Sequence, residues 1–224
     1  MTKQPILYGL SQAHITMLNS TAGIHQEMLS DYLKMVAAAK KDGIDICIVS
    51  GFRNFDRQLS IWNRKANGQL PVYDKQQQVL DLTKLTDTQK LESILLYSAL
   101  PGTSRHHWGS DIDVYSPSSL PDNQKLHLQP WEYEQDGPFF NLSNWLSEHA
   151  KSYGFFLPYD IYRGGVAAEP WHLSYYPISQ KLQAQFKVAE LVNILSCYPI
   201  ALKHEIINNI DKIVEQYVTN IGGY

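Results

Sequence analysis

The chain contains little cysteine: only Cys47 and Cys197 occur among its 224 residues, and they do not form a closely spaced pair of the kind that binds structural zinc. We expect both to be buried free thiols, which is typical of a reducing compartment. No apolar run approaches the roughly 18 residues that a membrane span requires. The first ten residues also lack the pattern of a secretory signal. These absences predict a soluble protein of the cytoplasm.

The sequence also lacks an excess of basic charge. Its 19 Lys and Arg and 22 Asp and Glu residues are mixed along the chain and give a net charge of -3. Without a basic stripe to meet phosphates, we expect no nucleic-acid partner. The chain is long enough to bury a hydrophobic core without disulfide or metal staples. Any metal is therefore expected to be catalytic rather than structural.

Hydrophobic periodicity predicts one mixed α+β domain, with no repeat and no Pro/Ser-rich linker. Short strands are expected over residues 44–49 and 111–115. Helices are expected over residues 21–41, 55–65, 87–100 and 141–152. Beyond Pro177, two further helical segments over residues 179–197 and 199–219 carry no reactive cluster. We interpret these last two as packing elements.

Two short segments concentrate side chains that bind metals. The first runs from Ser104 to Asp113, and the second from Glu169 to His172. Two imidazoles and one carboxylate are a recurring set for catalytic zinc, which keeps a fourth position for water. A second, unligated carboxylate can then act as general base. The two segments together predict a divided metal site that performs hydrolysis.

The spacing within each segment requires the chain to bend. His106 and Asp113 are seven residues apart, and Glu169 and His172 are three apart, so a regular strand would direct each pair to opposite faces. Gly109 is suited to the first bend because glycine adopts backbone angles closed to other residues. A twist or bulge is expected in the second segment, beside Pro170. These residues alone do not decide which acid binds the metal.

The Ser-x-His-x-x-Gly-x-x-x-Asp motif at residues 104–113 and the Glu-x-Trp-His motif at residues 169–172 resemble those of a zinc peptidase family. This family includes the VanY-type D-alanyl-D-alanine carboxypeptidases and shares its fold with the hedgehog signalling domain. The resemblance spans about residues 44–176. It implies an α+β hedgehog/DD-peptidase-like fold, with a small, mainly antiparallel sheet flanked by helices. It further suggests a catalytic domain over residues 1–177 and a helical C-terminal extension over residues 178–224, packed on the same domain.

The resemblance also implies roles for individual residues. One Zn²⁺ per chain would be held by His106, Asp113 and His172, rather than by the neighbouring His107, and Glu169 would be the general base. The Ser-Gly-Phe-Arg segment at residues 50–53 matches the family's Ser-Gly-Tyr-Arg. Arg53 would accordingly be catalytic and would contact the substrate carbonyl or carboxylate, a task suited to a fixed cationic fork. Two further positions match the family's substrate-binding residues, namely Gln58 and Ser104.

Asp111 departs from the family pattern, which has a small residue at this position. It shares a strand face with Asp113. Its carboxylate would then either hydrogen-bond a ligand histidine or stand in solvent at the strand end. The sequence leaves these two alternatives open.

The resemblance implies a carboxypeptidase that removes the C-terminal D-Ala from peptidoglycan stem peptides. A cytoplasmic location favours L,D-carboxypeptidase action on recycled tetrapeptides, because D,D-carboxypeptidase action would consume the cell's own wall precursors. The D,D activity is the alternative. A phage-type endopeptidase and a non-catalytic zinc-binding module are further alternatives. The absence of an evident wall-binding repeat argues against the former, and the intact Glu169 against the latter. The sequence gives no prediction of oligomeric state.

Overall fold

Two antiparallel sheets organise the fold, which is seen in a computed structural model that describes residues 2–224. A hairpin pairs β1 (Ile15–Met17) with β2 (Gly23–His25). The central sheet has the strand order β3-β4-β6-β5. Its members are β3 (Cys47–Ser50), β4 (Asp111–Tyr115), β5 (Phe155–Phe156) and β6 (His172–Tyr175). The predicted combination of helices with a small antiparallel sheet is confirmed.

Helices surround this sheet and fill the C-terminal part of the chain. They are α1 (Leu29–Lys41), α2 (Phe55–Ala66), α3 (Asp87–Leu95), α4 (Phe140–His149), α5 (Tyr176–Gln183), α6 (Val188–Ser196), α7 (Lys203–Asn208) and α8 (Ile210–Ile213). A π-helical segment, Val214–Thr219, follows α8. Asn54 caps α2 by accepting a hydrogen bond from the Arg57 amide at 2.9 Å. Within residues 2–224, every helix is too short or too polar to cross a bilayer.

Several predicted boundaries are wrong, and tertiary contacts explain the largest error. The helix expected over residues 21–41 begins only at Leu29. The preceding Gly23–His25 is strand β2, which pairs with β1 and whose Gly23 carbonyl accepts the Phe52 amide at 2.7 Å. These non-local hydrogen bonds override the local helical periodicity. The strand expected from residue 44 starts at Cys47, and the helix expected up to residue 100 ends at Leu95.

The two C-terminal helical segments predicted from the sequence are further divided. A break separates α5 from α6, and α7 begins after Leu202, which has a left-handed backbone with φ of 62°. Both segments are thus helical, as predicted, but each consists of shorter helices rather than one continuous helix. The extended backbone of Lys187 interrupts the first segment, and the positive φ of Leu202 interrupts the second.

Both cysteines are free thiols, as predicted, but their predicted burial is wrong, because both are exposed. Cys47 is the first residue of β3, an edge strand of the central sheet, and Cys197 directly follows the last residue of α6. Their positions at the ends of elements leave the side chains accessible. In contrast, β4 is almost fully buried, although polar and apolar residues alternate along it; it is a central strand of the sheet, and its Ile112 and Val114 belong to an apolar cluster.

Two apolar clusters form the interior. One joins the sheet to α1 and α4, and its members include Met35, Ile112, Val114, Leu146 and Leu173. The other joins α2 and α3 to the C-terminal helices, and its members include Phe55, Trp62, Leu95, Leu191 and Ile213. Burial of each large aliphatic side chain contributes about 1.5–3 kcal/mol. The C-terminal helices therefore share a core with α2, whereas a division of the chain at residue 177 stays a prediction.

Candidate metal centre and cleft

Strand pairing brings the two halves of the divided site together. Asp113 on β4 lies directly opposite His172 on β6 and also opposite Ser50 on β3. Residues directly opposite each other on antiparallel strands project to the same face. His106 comes from a short 3-10 helix, Arg105–Trp108, that precedes β4. All three predicted metal ligands consequently meet on one side of the sheet.

The predicted bend at Gly109 is confirmed. Gly109 ends the 3-10 helix with a left-handed φ of 66°. Its carbonyl accepts the His25 amide at 2.8 Å, which ties the bend to strand β2. A Cβ at this position would lie 2.4 Å from the Ile15 side chain and 2.9 Å from the His25 amide nitrogen. The bend therefore requires glycine for both its conformation and its close packing.

The second bend differs from the predicted twist or bulge. The His172 amide donates to the Glu169 carbonyl at 3.0 Å, so residues 169–172 form a tight turn that leads into β6. The Glu169 amide in turn donates to the Tyr159 carbonyl at 2.9 Å. The turn places Glu169 and His172 on the same side without a distortion of the strand itself. A bulge is present instead in β3, between Ile48 and Ser50.

The three ligand candidates offer a nitrogen-nitrogen-oxygen set. Their ligand atoms all lie within 4.8 Å of one another, and all three side chains are buried. His172 Nδ1 lies 3.2 Å from Asp113 Oδ1, and His106 Nε2 lies 3.4 Å from Asp113 Oδ2. Asp113 Oδ1 is buried without a hydrogen-bond partner. A buried carboxylate whose two oxygens each face one imidazole nitrogen, with Oδ1 lacking a hydrogen-bond partner, fits a bound cation, and this donor set suits zinc.

Hydrogen bonds orient both imidazole rings. His106 Nδ1 donates to the Gly51 carbonyl at 2.9 Å, which leaves Nε2 for a metal. His172 Nε2 donates to Asp111 Oδ1 at 3.1 Å, which leaves Nδ1 for a metal. Such partners fix the tautomer and the ring orientation of a ligand histidine. Of the two alternatives for Asp111, the structure shows the hydrogen bond to His172, a predicted ligand, with the carboxylate fully buried.

A buried arginine anchors Asp111. Arg105 Nε donates to Asp111 Oδ1 at 2.7 Å. The rest of its guanidinium donates to Ser174 Oγ and to Gln183 Oε1, each at 2.7 Å. Burial of a charge is costly unless the charge is paired and hydrogen-bonded. Each guanidinium nitrogen of Arg105 has a partner, which explains how the ion pair can lie in the interior. Gln183 belongs to α5, so the C-terminal helices reach the metal centre through Arg105.

Burial and neighbouring charges shift the pKa values of this centre. Burial raises the pKa of Glu169, and the facing His172 and Arg53 partly oppose that shift. Burial acts to lower the pKa of His172, but three neighbouring carboxylates outweigh it and hold that pKa well above its ordinary value. Glu169 Oε2 lies 3.3 Å from His172 Nδ1. A cleft carboxyl with a raised pKa is suited to proton transfer near neutral pH.

Arg53 lies on the cleft wall beside the metal centre. Its Nη2 donates to Asp113 Oδ2 at 3.0 Å, and its Nε donates to Ser50 Oγ at 3.0 Å. Gln58 Oε1 accepts from Arg53 Nη1 at 3.4 Å, and Gln58 Nε2 donates to the Ala99 carbonyl at 2.8 Å. Gln58 is thus buried behind Arg53 and positions it. Ser104 lines the cavity directly. Contact of Gln58 and Ser104 with a substrate stays a prediction.

His107 has a structural role, in agreement with the choice of His106 as ligand. Its Nδ1 donates to the Arg53 carbonyl at 2.6 Å, and its Nε2 accepts the Gly102 amide at 3.0 Å. Burial lowers the pKa of His107 to about 4, so the ring is neutral at physiological pH. Both ring nitrogens are occupied, and the ring fixes the backbone of Arg53. Trp108 and Trp171 are also buried, and Trp171 lines the cavity as well.

Sequence reasoning missed several residues that line or support the cavity of about 230 Å³ at this site. Four of the missed residues are Lys65, Tyr97, Arg105 and Tyr159. Tyr159 packs edge-on against His172, with ring centroids 4.9 Å apart. Arg105 had a signal in the sequence, since it precedes a ligand and is opposite in charge to the unexplained Asp111. The other three reach the cavity through tertiary contacts that no local pattern reveals.

Comparisons with known proteins find a sequence relative and solved structures of similar fold. An uncharacterized protein of Haemophilus influenzae is 36% identical over 121 residues, which cover 53% of this chain and 92% of that one. A zinc-bound VanY D,D-pentapeptidase variant has a similar fold, with a TM-score of 0.53, 21% identity and coverage of 75% of this chain and 82% of that one. VanYB in complex with D-Alanine-D-Alanine gives a TM-score of 0.55 at 21% identity, with 80% and 87% covered.

A family model provides the assignment. The model described as VanY, D-alanyl-D-alanine carboxypeptidase, matches residues 21–178, which include both motifs and Arg53. This match covers well over half of the chain. The chain therefore belongs to the VanY D-alanyl-D-alanine carboxypeptidase family.

Proposed function

We propose that the protein is a zinc carboxypeptidase that removes the C-terminal D-Ala from peptidoglycan stem peptides, with one Zn²⁺ per chain. The observation that carries this proposal is the buried Asp113 carboxylate, whose unpartnered Oδ1 faces His172 and whose Oδ2 faces His106, with Glu169 at the same opening. When bound, zinc would polarise the scissile carbonyl and acidify a water. Family membership makes a peptidase the natural chemistry for such a site.

Glu169 is proposed to move the proton. As a carboxylate at the mouth of the centre, it would accept a proton from the attacking water and later deliver it to the leaving amine. Its raised pKa supports both transfers, because a group whose pKa approaches the working pH gives and takes protons with similar ease. Its hydrogen-bonded turn to His172 supports this role by holding it beside the ligand set.

Arg53 is proposed to bind the carbonyl oxygen as negative charge develops there. Its guanidinium contacts Asp113 at 3.0 Å, so a substrate oxygen near the metal centre lies within reach of the same group. Donors fixed in advance toward a developing oxyanion are each commonly worth roughly 3–4 kcal/mol of barrier lowering. Gln58 and Ser50 support this role, because they restrict the guanidinium to one orientation.

The proposed principal activity is L,D-carboxypeptidase action on tetrapeptides, with D,D-carboxypeptidase action on pentapeptides as the alternative. The preference for L,D rests on the expected cytoplasmic location, which stays a prediction. The ligand set, the base and Arg53 act on the carbonyl and not on the stereocentre that precedes it. The same machinery therefore supports either activity, and product analysis must separate them.

The test combines metal analysis with product analysis. Purified protein is incubated with tetrapeptide and pentapeptide muropeptides, and the products are weighed by mass spectrometry. We expect about one zinc per chain, D-Ala release from tetrapeptide, and loss of release with retained zinc in Glu169→Ala. Glu148→Ala, which alters an exposed glutamate on α4, is the matched control and should retain activity.

Three outcomes would contradict parts of the proposal. D-Ala release from pentapeptide alone would reverse the order of the two activities. Zinc-free protein that binds muropeptides but releases nothing would favour a non-catalytic binding module instead. Cleavage inside the stem peptide would favour the endopeptidase alternative.

A further inference from the structure

One wall of the cleft carries a lysine that forms no ion pair. Lys65, in the last turn of α2, lines the same cavity as Arg53 and Glu169. Its Nζ donates to Ser98 Oγ at 2.5 Å. Within residues 2–224, no carboxylate forms an ion pair with this amine. A partly buried cation with one neutral partner leaves donor capacity free for an anion.

The other permanent cations of the cavity are already paired. Arg53 contacts Asp113 at 3.0 Å, and Arg105 contacts Asp111 at 2.7 Å. Both carboxylates belong to the metal centre or to its support. Lys65 therefore differs from them, because its opposite charge is not supplied by residues 2–224. An anionic group of a bound molecule would give Lys65 the ionic partner that the other two cations already have.

The lysine is held in place rather than free to move as on an open surface. Gln58 and Lys65 are seven residues apart on α2, about two helical turns, and so share one face. Gln58 is tied to the Ala99 carbonyl and Lys65 to Ser98, which joins this face to the segment that precedes the motif. Trp62, which lies between them on this face, donates from Nε1 to the Ala201 carbonyl at 3.0 Å and fixes α2 further. A cation held this way loses little further freedom on binding an anion.

Burial lowers the pKa of Lys65 to about 8, and the negative charge of Glu169 acts in the opposite direction. The amine thus stays mostly protonated at neutral pH. Its ammonium group is a compact charge with three donors, one of which is directed to Ser98. The remaining donors can serve a carboxylate that enters the cleft.

We propose that Lys65 is a specificity-determining residue that binds a free carboxylate of the peptide substrate. This inference rests on the proposed function, because it presumes that a peptide occupies the cleft. Two carboxylates are possible sources: the terminal carboxylate of the leaving residue, and a side-chain carboxylate on the acyl side. A charge-assisted hydrogen bond of this kind contributes roughly 10–100-fold to affinity.

The test measures binding in the absence of turnover. Zinc-loaded Glu169→Ala protein is titrated calorimetrically with a stem tetrapeptide, with its C-terminal amide, and with a peptide whose third residue lacks a side-chain carboxylate. The same titrations are made with double variants that combine Glu169→Ala with Lys65→Met, which keeps the aliphatic stem, or with Lys65→Arg, which keeps the charge. Arg64→Met removes a charge from the same helical turn, outside the cavity lining, and is the matched control.

We expect loss of one carboxylate to weaken binding at least 10-fold when Lys65 is present, and by about 2-fold or less in Lys65→Met. Lys65→Arg should restore most of the discrimination, and Arg64→Met should retain it. The source of the carboxylate is identified by the modified peptide whose weaker binding depends on Lys65. Lys65→Gln provides a second neutral variant if Lys65→Met does not fold. Unchanged discrimination in the neutral variants would overturn the proposal.

The two proposals fail in different ways. Turnover by the wild type with unchanged discrimination in Lys65→Met overturns the role of Lys65 and leaves the carboxypeptidase activity standing. No turnover by the wild type, with carboxylate binding that depends on Lys65, overturns the activity and supports the lysine site. No binding of any stem peptide overturns both.

Discussion

Arg105 Nε lies 2.7 Å from Asp111 Oδ1, and the two side chains are only 2% and 0% exposed. Asp111 also accepts a hydrogen bond from His172 Nε2 at 3.1 Å. The ion pair therefore holds the ring that presents Nδ1 to the metal centre. The family motif specifies the predicted ligands but not this ion pair. The pair is formed by two charged residues six positions apart, and it orients His172.

We expect loss of Asp111 to weaken both metal binding and folding. Asp111→Ala should reduce zinc affinity roughly 10–100-fold, because a ligand histidine loses its orienting partner. It should also lower the free energy of unfolding by about 3–5 kcal/mol, because Arg105 is left buried and unpaired. Competition with a chelator measures the first effect, and urea denaturation of metal-free protein measures the second.

A double variant separates the charge effect from the loss of packing. Arg105→Met combined with Asp111→Leu should cost less stability than the sum of the two single changes, because neither charge is then left unpaired. Asp160→Ala breaks an exposed ion pair with Arg163 and should cost less than about 1 kcal/mol. Additive costs in the double variant would contradict this account of the buried pair.

Gly109→Ala tests the bend between the two ligands of the first motif. We expect a loss of roughly 2–5 kcal/mol in the free energy of unfolding, from the left-handed backbone and from the contact of the new Cβ with Ile15. Gly43→Ala is the matched control, since Gly43 has a φ of 80° but a Cβ added there would meet no atom within 4 Å. That control should cost only about 1–2 kcal/mol. Equal costs would show that packing around Gly109 adds nothing.

His14 makes the stability of the fold depend on pH. Burial and the neighbouring His25 lower the pKa of His14 from 6.5 to about 4. Between these values the unfolded chain binds the proton and the folded chain does not, so stability is lost as the pH falls through this window. In metal-free protein, lowering the pH through this window should reduce the free energy of unfolding of the wild type relative to that of His14→Gln, by up to about 1.4 kcal/mol per pH unit.

Urea denaturation at several pH values between about 4.5 and 7 measures this difference. Carboxylates that titrate nearby are common to both proteins, so their contributions cancel in the comparison. A difference that stays constant with pH would show that His14 titrates in the folded protein as it does in the unfolded chain.

Arg53→Lys tests whether the fork geometry of the guanidinium is needed as well as its charge. We expect kcat to fall roughly 100-fold or more with a smaller change in KM, because the single ammonium cannot hold Ser50 and Asp113 while it contacts a substrate oxygen. Arg57→Lys, at an exposed position near the start of α2, should leave both constants unchanged. Zinc content is measured in each variant, and unchanged kcat in Arg53→Lys would contradict the role.

The clustering of the two metal-binding segments and the bend at Gly109 could be predicted because they depend on local chemistry and spacing, whereas the choice of ligands rests on the family resemblance and stays a prediction. Imidazole and carboxylate side chains limit the choice of metal, and an odd separation along the chain demands a turn. The strand at residues 111–115 is equally clear from its pattern, and the structure has β4 over the same residues. Family membership confirms the resemblance on which the assignment of roles rests.

The parts that could not be predicted depend on contacts between distant residues. Strand β2 forms because β1 and the Phe52 amide provide hydrogen-bond partners, which a helical periodicity does not report. Arg105 donates a hydrogen bond to Gln183, which lies 78 positions later in the chain. Lys65 enters the cleft because of how α2 packs, and its own sequence neighbourhood is that of an ordinary solvated helix end. Each of these requires tertiary structure before it can be recognised.

The apolar cluster shared by α2 and the C-terminal helices sets the length of chain that must fold together. The family model ends at residue 178, whereas Trp62 donates to Ala201 and packs in one cluster with Leu191 and Ile213, and Arg105 reaches Gln183. We expect a fragment cut at the family boundary to lose the support of α2 and of the metal centre together. The family match thus ends before the segments that complete this core, so a cut there would expose the apolar face of α2.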